Sequence, residues 1–457
     1  MTRAGEQEPR TWVGRLVQVQ PGEGASVAWA TALFFLLLCA NSTLKPVREA
    51  LGIDRGADDL AAVWSGTLAL SLLVQPLFAA LLARTSRRRF VPIVYAAGIT
   101  FLLLFRAAFE FAPESFRAYI GYGFYIWFSV FNVFALSVFW GFAADLFKLG
   151  QAKRLFALVS VGGTAGAVAG SALARSLAEP LGTINLMFVG AALLVAAIGC
   201  VAALTRLHPQ DAPRETQAAA GESSPKPPSP WRGLSYIAQS PYLRGICAFT
   251  LFYTLFSTVL YFQQANLVSA ALPNRDERTE YFATVDLIGN SLTLFLQLFV
   301  TGILIRRLGV GFALLTQPVV AGVACLGLGL MIWRGAELVG GSWGFAWPPE
   351  LVSVAAARIL VSASNYATAK PARESLFTVV PRDAKYASKS FVDTFVYRGG
   401  DLIGGWTFTL FQKGLGVPLA AIAFGASPIA LVWLAVGVFL GRQQKALDEQ
   451  RDSEVRA

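Results

Sequence analysis

Residues 44–51 read Leu-Lys-Pro-Val-Arg-Glu-Ala-Leu, and residues 369–376 read Ala-Lys-Pro-Ala-Arg-Glu-Ser-Leu. The pattern Lys-Pro-x-Arg-Glu therefore occurs twice, and each copy carries charged residues into a long apolar stretch. A pattern with four fixed positions seldom repeats by chance within one chain. The repetition indicates two related halves, and it draws attention to the few charges that lie inside apolar segments.

The composition of the whole chain is that of a polytopic membrane protein. Of 457 residues, 55% are hydrophobic and 14% are charged, with a mean hydropathy of +0.54. Soluble domains carry about 25% charged residues, so this chain has too little polar surface for a soluble enzyme. The same figures exclude a disordered or collagen-like chain.

Twelve apolar segments of membrane-spanning length follow one another along the chain, since a spanning helix needs about 20 apolar residues. We number them spans 1 to 12: 27–52, 58–83, 90–110, 117–147, 153–178, 183–205, 243–270, 280–305, 310–333, 351–380, 388–412 and 417–441. The run 27–40 also fits the core of a signal peptide, but the apolar pattern continues, which favours an uncleaved first helix.

A Pro-rich segment divides the spans into six plus six. The predicted organisation is an N-terminal tail of 1–26, a first half of 27–205, a linker of 206–232, a second half of 233–441 and a C-terminal tail of 442–457. This is the layout of the major facilitator fold, in which helices 1, 4, 7 and 10 line a central cavity. The predicted fold class is therefore an all-α polytopic membrane protein with a major-facilitator-like arrangement.

The net charge of +10 indicates orientation rather than nucleic-acid binding. Basic clusters such as 87–89 and 306–307 lie in alternate loops, and both tails share the basic bias. By the positive-inside rule, both termini and the linker face the cytoplasm. We expect a bacterial-type inner (plasma) membrane, with the lipid bilayer and a small anionic solute as partners and no nucleic acid. We expect a monomer.

The residues that usually form metal centres and disulfides are sparse. The only histidine is His208, and the four cysteines lie in apolar runs without paired spacing: Cys39, Cys200, Cys247 and Cys325. A disulfide framework and a zinc site are not indicated. The segment 161–166, Val-Gly-Gly-Thr-Ala-Gly, lacks the Gly-Lys-Ser/Thr ending of a phosphate loop. We expect no metal, no cofactor and no enzyme activity.

Charged residues cluster on one side of spans 1 and 10. On a regular helix with 100° per residue, four side chains of span 1 fall within an arc of about 100°: Asn41, Lys45, Arg48 and Glu49. Four of span 10 fall within roughly 80°, with Lys370 about 60° beyond and Glu374 beside the last of them: Arg358, Ser362, Asn365 and Arg373. A lipid-facing charge near the bilayer centre costs at least about 2.5 kcal/mol. These side chains are therefore predicted to face the bundle interior or water.

The prolines of the repeated motif break the helical hydrogen-bond pattern. Pro46 leaves the carbonyl of Ser42 without its helical partner, and Pro371 does the same to Ala367. The charges of the motif have a structural interpretation, as ion pairs of Arg48 with Glu49 and of Arg373 with Glu374. Because basic residues outnumber acids in both clusters, we favour contact with a substrate or a gate.

Five further charged residues lie in or near spans. Asp145 in span 4 and Asp286 in span 8 are predicted to pair with a basic gate residue or to bind a proton. Asp145 also fits an interfacial helix end, and Asp286 a structural pairing. In span 11, Asp393, Arg398 and Asp401 are predicted to form a structural network, since Arg398 and Asp401 are three residues apart.

Small residues predict close helix packing in the same place in each half. Gly162, Gly166 and Gly170 follow a small-x-x-x-small pattern in span 5, and Gly400 and Gly404 do so in span 11. Such spacing lets helices approach closely in lipid.

Four stretches of the sequence resemble the nucleotide (ATP/ADP) antiporter family and its bacterial relatives within the major facilitator fold. They are 44–52, 139–170, 261–307 and 372–405, which include LKPVREALG, FWGFAADLFKLG and ARESLFTVVPRDAKYASKS. The resemblance implies intramembrane lysines in spans 1 and 10 and acids in spans 4 and 8, which are Lys45, Lys370, Asp145 and Asp286 here.

The predicted function is secondary active transport of an anionic, phosphorylated solute by alternating access, with nucleotide exchange of the ATP/ADP type first. Lys45, Arg48, Lys370 and Arg373 would neutralise phosphate charge. Two alternatives stay open. One is proton-coupled transport of another anionic solute, lipid or cell-wall fragment. The other is a non-transporting membrane scaffold or sensor.

Overall fold

The computed structural model describes residues 20, 22–84, 87–147, 149–207, 230–338 and 347–456. Every regular element named within these residues is a helix. Each of the twelve predicted spans coincides with helical structure, so the predicted fold class is confirmed. The N-terminal tail and the Pro-rich linker lie almost entirely outside the described residues.

The helices of the first half are long and mostly uninterrupted, as expected for apolar segments that satisfy their backbone groups internally. Spans 1 to 6 are Gly24–Gly52, Leu60–Arg84, Arg87–Phe111, Glu114–Leu146, Leu149–Leu181 and Leu186–Leu207, the last preceded by a 3-10 turn at Thr183–Asn185. Span 1 continues as one α-helix through Pro46.

The second half contains several π-helical turns. A short helix, Pro230–Gln239, precedes span 7, Pro241–Ala271. Span 8 is Arg275–Leu296 with a π turn at Gln297–Thr301, and span 9 lies in Gly302–Leu338 after a break at Gly309. Span 10 consists of Pro349–Ser364, a π turn at Asn365–Ala369, Lys370–Leu376 and a 3-10 turn at Phe377–Val379. Span 11 consists of Arg382–Phe391, Tyr397–Thr409 and π turns at Val392–Val396 and Leu410–Gly414, and span 12 is Leu419–Arg456.

Seven described helical segments are long and apolar enough to cross a membrane by length and composition. One of them, Arg275–Gly335, covers two predicted spans in 61 residues. The positive φ of 81° at Gly309 marks the corner between those two spans, a conformation that glycine adopts without steric cost.

The chain forms two compact units that follow the two halves, apart from two exchanged segments. The first unit comprises 1–51, 69–221 and 275–287, and the second comprises 52–68, 222–274 and 288–457. The start of span 8 thus belongs with the first half, and the start of span 2 with the second. The simple boundary predicted at the linker does not include these exchanges, because they depend on packing between residues distant in sequence.

Glycines bring equivalent helices together inside each unit. A Cβ atom at Gly166 or Gly170 would overlap the backbone carbonyls of Phe35 or Cys39, so span 5 lies directly against span 1. In the second unit, a Cβ at Gly404 would meet the side chain of Thr258 in span 7 at 3.1 Å. The predicted close packing is therefore present in both halves.

Aromatic side chains fill the core of each unit. Phe34 stacks on Phe139 with ring centroids 4.4 Å apart in the first unit. In the second, Trp433 is fully buried and packs edge-on against Phe249 at 5.4 Å. These contacts hold spans 1 and 4 together, and spans 7 and 12, around the charged positions described next.

Candidate functional site

Lys45 of span 1 forms an ion pair with Asp286 of span 8. The Nζ–Oδ1 distance is 2.7 Å, and the exposed fractions of the two side chains are 38% and 18%. Both residues belong to the first unit, because the start of span 8 packs with that half. The two charges that the sequence singled out independently therefore neutralise each other in this structure.

Arg48 is held by groups from its own helix and from span 4. Its guanidinium forms an ion pair with Glu49, donates to the Ser129 hydroxyl at 3.3 Å and lies 4.8 Å from the ring centre of Tyr125. Glu49 is only 5% exposed. The predicted structural pair of Arg48 and Glu49 is thus formed, and a cation–π contact adds to it.

Arg358 of span 10 has neutral partners. Its guanidinium donates to the carbonyl of Ser257 at 3.4 Å and lies 5.5 Å from the ring centre of Tyr261, both in span 7. Within the described ranges no carboxylate forms an ion pair with it. A ring and a carbonyl do not cancel the positive charge of a guanidinium. Arg358 can therefore still attract an anion.

The second copy of the motif uses its charges differently from the first. Glu374 pairs with Lys389 of span 11 at 2.5 Å, rather than with Arg373. Arg373 is 6% exposed, and Lys370 is exposed with its ammonium 5.5 Å from the ring centre of Tyr366. In the described part of the chain, neither Lys370 nor Arg373 forms an ion pair with a carboxylate.

Two acids of span 11 lie within electrostatic range of basic side chains without forming an ion pair among the residues described. Asp393 is within electrostatic range of four charged side chains: Arg373, Glu374, Lys389 and Lys370. Asp401 is within electrostatic range of Arg398, and no ion pair joins the two among the residues described. The structural network predicted for Asp393, Arg398 and Asp401 therefore remains a prediction.

Asp145 lies at the penultimate position of the span 4 helix and is exposed. Asp145 therefore lies at a helix end, and its role as a gate partner or as an interfacial residue stays a prediction. Asn365 is 3% exposed and begins the π turn of span 10. The angles given above for span 10 hold for a regular α-helix. Residues before and after the π turn therefore do not keep the angular relation predicted for them.

Sequence reasoning missed several polar groups that surround the charged positions. Ser129 in span 4, and Ser257 and Tyr261 in span 7, contact the two arginines. Spans 4 and 7 were predicted to line the cavity, but no local pattern distinguishes these side chains from ordinary packing residues. Among the described residues, no group of His, Cys, Asp or Glu could hold a metal ion.

In the second unit, the cations of span 10 form no ion pair with a carboxylate among the residues described. Lys and Arg in such settings bind phosphate or carboxylate through charge-assisted hydrogen bonds. Within the described residues, the side chains present suit binding rather than bond-making chemistry.

Comparisons with known proteins support this interpretation. Curated relatives include "ADP,ATP carrier protein 1" of Chlamydia muridarum (strain MoPn / Nigg), 26% identical over 348 residues that cover 70% of this chain and 64% of that protein. The protein of the same name from Chlamydia trachomatis serovar D is 25% identical over the same shares. The chain therefore spans just under two thirds of the length of the curated relatives it matches.

Solved structures show the same fold. The nucleoside transporter NupG aligns with a TM-score of 0.57 and 13% identity, covering 92% of this chain and 99% of that one. A D-xylose-proton symporter aligns with a TM-score of 0.57 and 12% identity, covering 92% and 97%. At this identity the likeness concerns the fold alone.

The profile of the Major Facilitator Superfamily matches residues 25–380, well over half of the chain. Together with the apolar helices, this match confirms an integral, multi-pass membrane protein. The family and the folds are those of transporters rather than enzymes, and the resemblance predicted from the sequence is confirmed. The chain belongs to the Major Facilitator Superfamily.

Proposed function

We propose that this protein exchanges anionic, phosphorylated solutes across a membrane by alternating access, with nucleotides of the ATP/ADP type as the first candidates. The observation that carries the proposal is the charge state of span 10. Arg358, Lys370 and Arg373 lie in a span, and in the described chain none of them has a carboxylate ion-pair partner. Asp393 is within electrostatic range of two of these cations, and a polyphosphate would supply further negative charge.

Span 10 would supply an anion site in the second unit, and span 1 would supply basic contacts in the first unit. Lys45 and Arg48 are neutralised by Asp286 and Glu49 in this structure. An anion that displaces Asp286 from Lys45 would gain a charge-assisted contact there, worth about 1.5–3 kcal/mol. Asn365 and Glu374 would act on the span 10 site through hydrogen bonds or as gate partners, and Asp145 would be a gate partner in the first unit.

Exchange follows from the same electrostatics. An empty site with several unneutralised cations is costly to enclose away from water. Closure around a bound anion removes that cost, so the loaded protein changes conformation more readily than the empty one. The relatives named as ADP,ATP carriers support exchange of nucleotides in particular. We place the protein in the inner membrane as a monomer with both termini cytoplasmic.

The test is counter-exchange in proteoliposomes. Vesicles loaded with ADP should take up labelled ATP, and vesicles without internal nucleotide should take up little. Arg358→Gln should reduce uptake at least tenfold, since one charge-assisted contact is worth about 1.5–3 kcal/mol. Lys445→Gln is the matched control, because Lys445 lies exposed in the C-terminal extension of span 12. Equal uptake by Arg358→Gln and by Lys445→Gln would overturn the site.

Proton coupling is a second candidate, and the pairing of Asp286 with Lys45 is the observation that favours it. If Asp286 left Lys45 and bound a proton instead, transport would depend on pH. Uptake driven by a pH gradient without an internal counter-substrate would select this candidate over exchange.

A further inference from the structure

Span 10 loses two backbone hydrogen bonds beside its cations. The Lys370 amide donates to Asn365, one residue further back than in an α-helix, so the carbonyl of Tyr366 loses its usual donor. Pro371 has no amide hydrogen, so the carbonyl of Ala367 loses its donor too. The two carbonyls are adjacent, and they immediately precede the Lys-Pro-x-Arg-Glu motif.

Span 8 supplies both missing donors. The Thr301 hydroxyl donates to the carbonyl oxygen of Ala367 at 2.7 Å, and the side-chain amide of Gln297 donates to that of Tyr366 at 3.2 Å. These two side chains are the first and last residues of the π turn in span 8. The π turn of span 8 therefore supplies the hydrogen-bond donors that the π turn of span 10 lacks. All four residues belong to the second unit.

The geometry points to Thr301, supported by Gln297, as a positioning residue for the anion site of span 10. An unsatisfied carbonyl in the membrane interior costs several kcal/mol, so the Thr301 hydroxyl replaces an amide that Pro371 cannot provide. This contact lies three residues before Lys370 and six before Arg373. It fixes the position along the helix axis, and the rotation about that axis, of the helical segment that carries both cations.

Span 9 holds the other side of the same turn by different contacts. Thr316 shares a hydrogen bond of 2.7 Å with the hydroxyl of Thr368, and Ser364 donates to Gln317 at 2.8 Å. Thr368 also donates to the carbonyl of Ser364, within its own helix. Thr316 therefore touches a side chain and satisfies neither of the two orphaned carbonyls, so it is a matched control for Thr301.

The inference rests on the proposed function for its consequence in transport, and on the backbone alone for its structural part. The experiment has two readouts for that reason. One is the KM and kcat of nucleotide counter-exchange. The other is hydrogen–deuterium exchange of the amides of residues 372–376, which requires no substrate.

Thr301→Val removes the donor and keeps the shape of the side chain. It should raise KM about tenfold and change kcat by less than threefold, because the cations are displaced while the transport cycle is retained. Amide exchange in 372–376 should become at least fivefold faster. Thr301→Ser, which keeps the hydroxyl, should restore both values to within twofold of the wild type, and Thr316→Val should change each by less than threefold.

Pro371→Ala provides the decisive arm, since alanine restores an amide at that position. In the Pro371→Ala background, Thr301→Val should accelerate amide exchange by less than twofold. If Thr301→Val acts equally in both backgrounds, or no more strongly than Thr316→Val, the inference is wrong. If Thr301→Val does not yield folded protein, Gln297→Leu is judged by the same criteria. Altered amide exchange without nucleotide transport would reject the proposed function and retain the positioning role.

Discussion

The two copies of Lys-Pro-x-Arg-Glu lie in helices whose surroundings differ. In span 1 the helix is continuous, and the lysine and arginine are paired with Asp286 and Glu49. In span 10 the helix is interrupted by a π turn, and the glutamate of the motif pairs with Lys389 of span 11. The second copy is therefore left with basic charge that the first copy has neutralised.

The difference shows that a repeated motif does not fix its own electrostatics. What distinguishes the copies is the residue each neighbour presents: an aspartate from span 8 in one case and a lysine from span 11 in the other. The basic side chains of the motif in span 1 form ion pairs. In the described part of span 10, Lys370 and Arg373 form none. The following predictions test that contrast, beginning with the largest expected effect.

Arg373→Ala and Arg48→Ala should have opposite signatures. Arg373→Ala should weaken nucleotide binding about 10- to 100-fold, because one charge-assisted contact is worth about 1.5–3 kcal/mol. It should lower Tm less than Arg48→Ala does. Arg48→Ala should mainly lower Tm, since it removes a cation from beside the buried Glu49. Thermal-shift assays with and without ATP measure both effects.

Glu49→Gln in the Arg48→Ala background is the control for this pair, and it should recover part of the lost Tm. If Arg48→Ala kept its Tm and lost nucleotide binding while Arg373→Ala did the reverse, the roles of spans 1 and 10 would have to be exchanged.

Gly170→Ala should destabilise the protein by roughly 2 kcal/mol, within the range for overpacking. The added Cβ would overlap the carbonyl of Cys39, a backbone atom of span 1 that cannot turn away. Gly404→Ala should cost less, because its closest neighbour is the side chain of Thr258. Thermal unfolding in detergent measures the difference.

Gly199→Ala is the matched control, since it lies in a helix with no atom within 4 Å of the added Cβ. It should leave stability unchanged or slightly raised, because alanine favours helix over glycine. A Gly170→Ala protein as stable as Gly199→Ala would show that span 1 is less tightly held than described.

Asp286→Asn should make span 1 resemble span 10 and raise nucleotide affinity by about two- to fivefold. Lys45 is more than one third exposed, so its pairing with Asp286 is worth on the order of 1 kcal/mol or less. Isothermal titration with ATP at two salt concentrations measures the change. The gain should shrink at high salt through screening, and a loss of affinity would show that Asp286 supports the anion site.

Much of the fold could be predicted from local sequence, because the bilayer imposes a length and an apolar composition on each spanning helix. The glycines of spans 5 and 11 also indicated close packing correctly. The exchanged segments 52–68 and 275–287 could not be predicted, since they depend on which distant helix each end packs against.

The candidate site divides in the same way. Lys45, Arg48, Asp286, Lys370 and Arg373 stood out because charges inside apolar segments are rare, and the orphaned carbonyl of Ala367 followed from Pro371. The partners of these groups could not be predicted, because Ser129, Tyr261 and Thr301 are ordinary residues for a membrane helix. Only their positions in space give them a role.

The sequence alone determines that this chain is a membrane protein with twelve predicted spans and a duplicated basic motif, because hydropathy and repetition can be read directly from the sequence. Tertiary structure decided which copy of the motif is neutralised and which stays basic. It also decided that Thr301 of span 8 replaces the amide that Pro371 lacks. Ion pairs and side-chain hydrogen bonds act over a few ångströms, and only folding brings residues 301 and 367, or 45 and 286, within that distance.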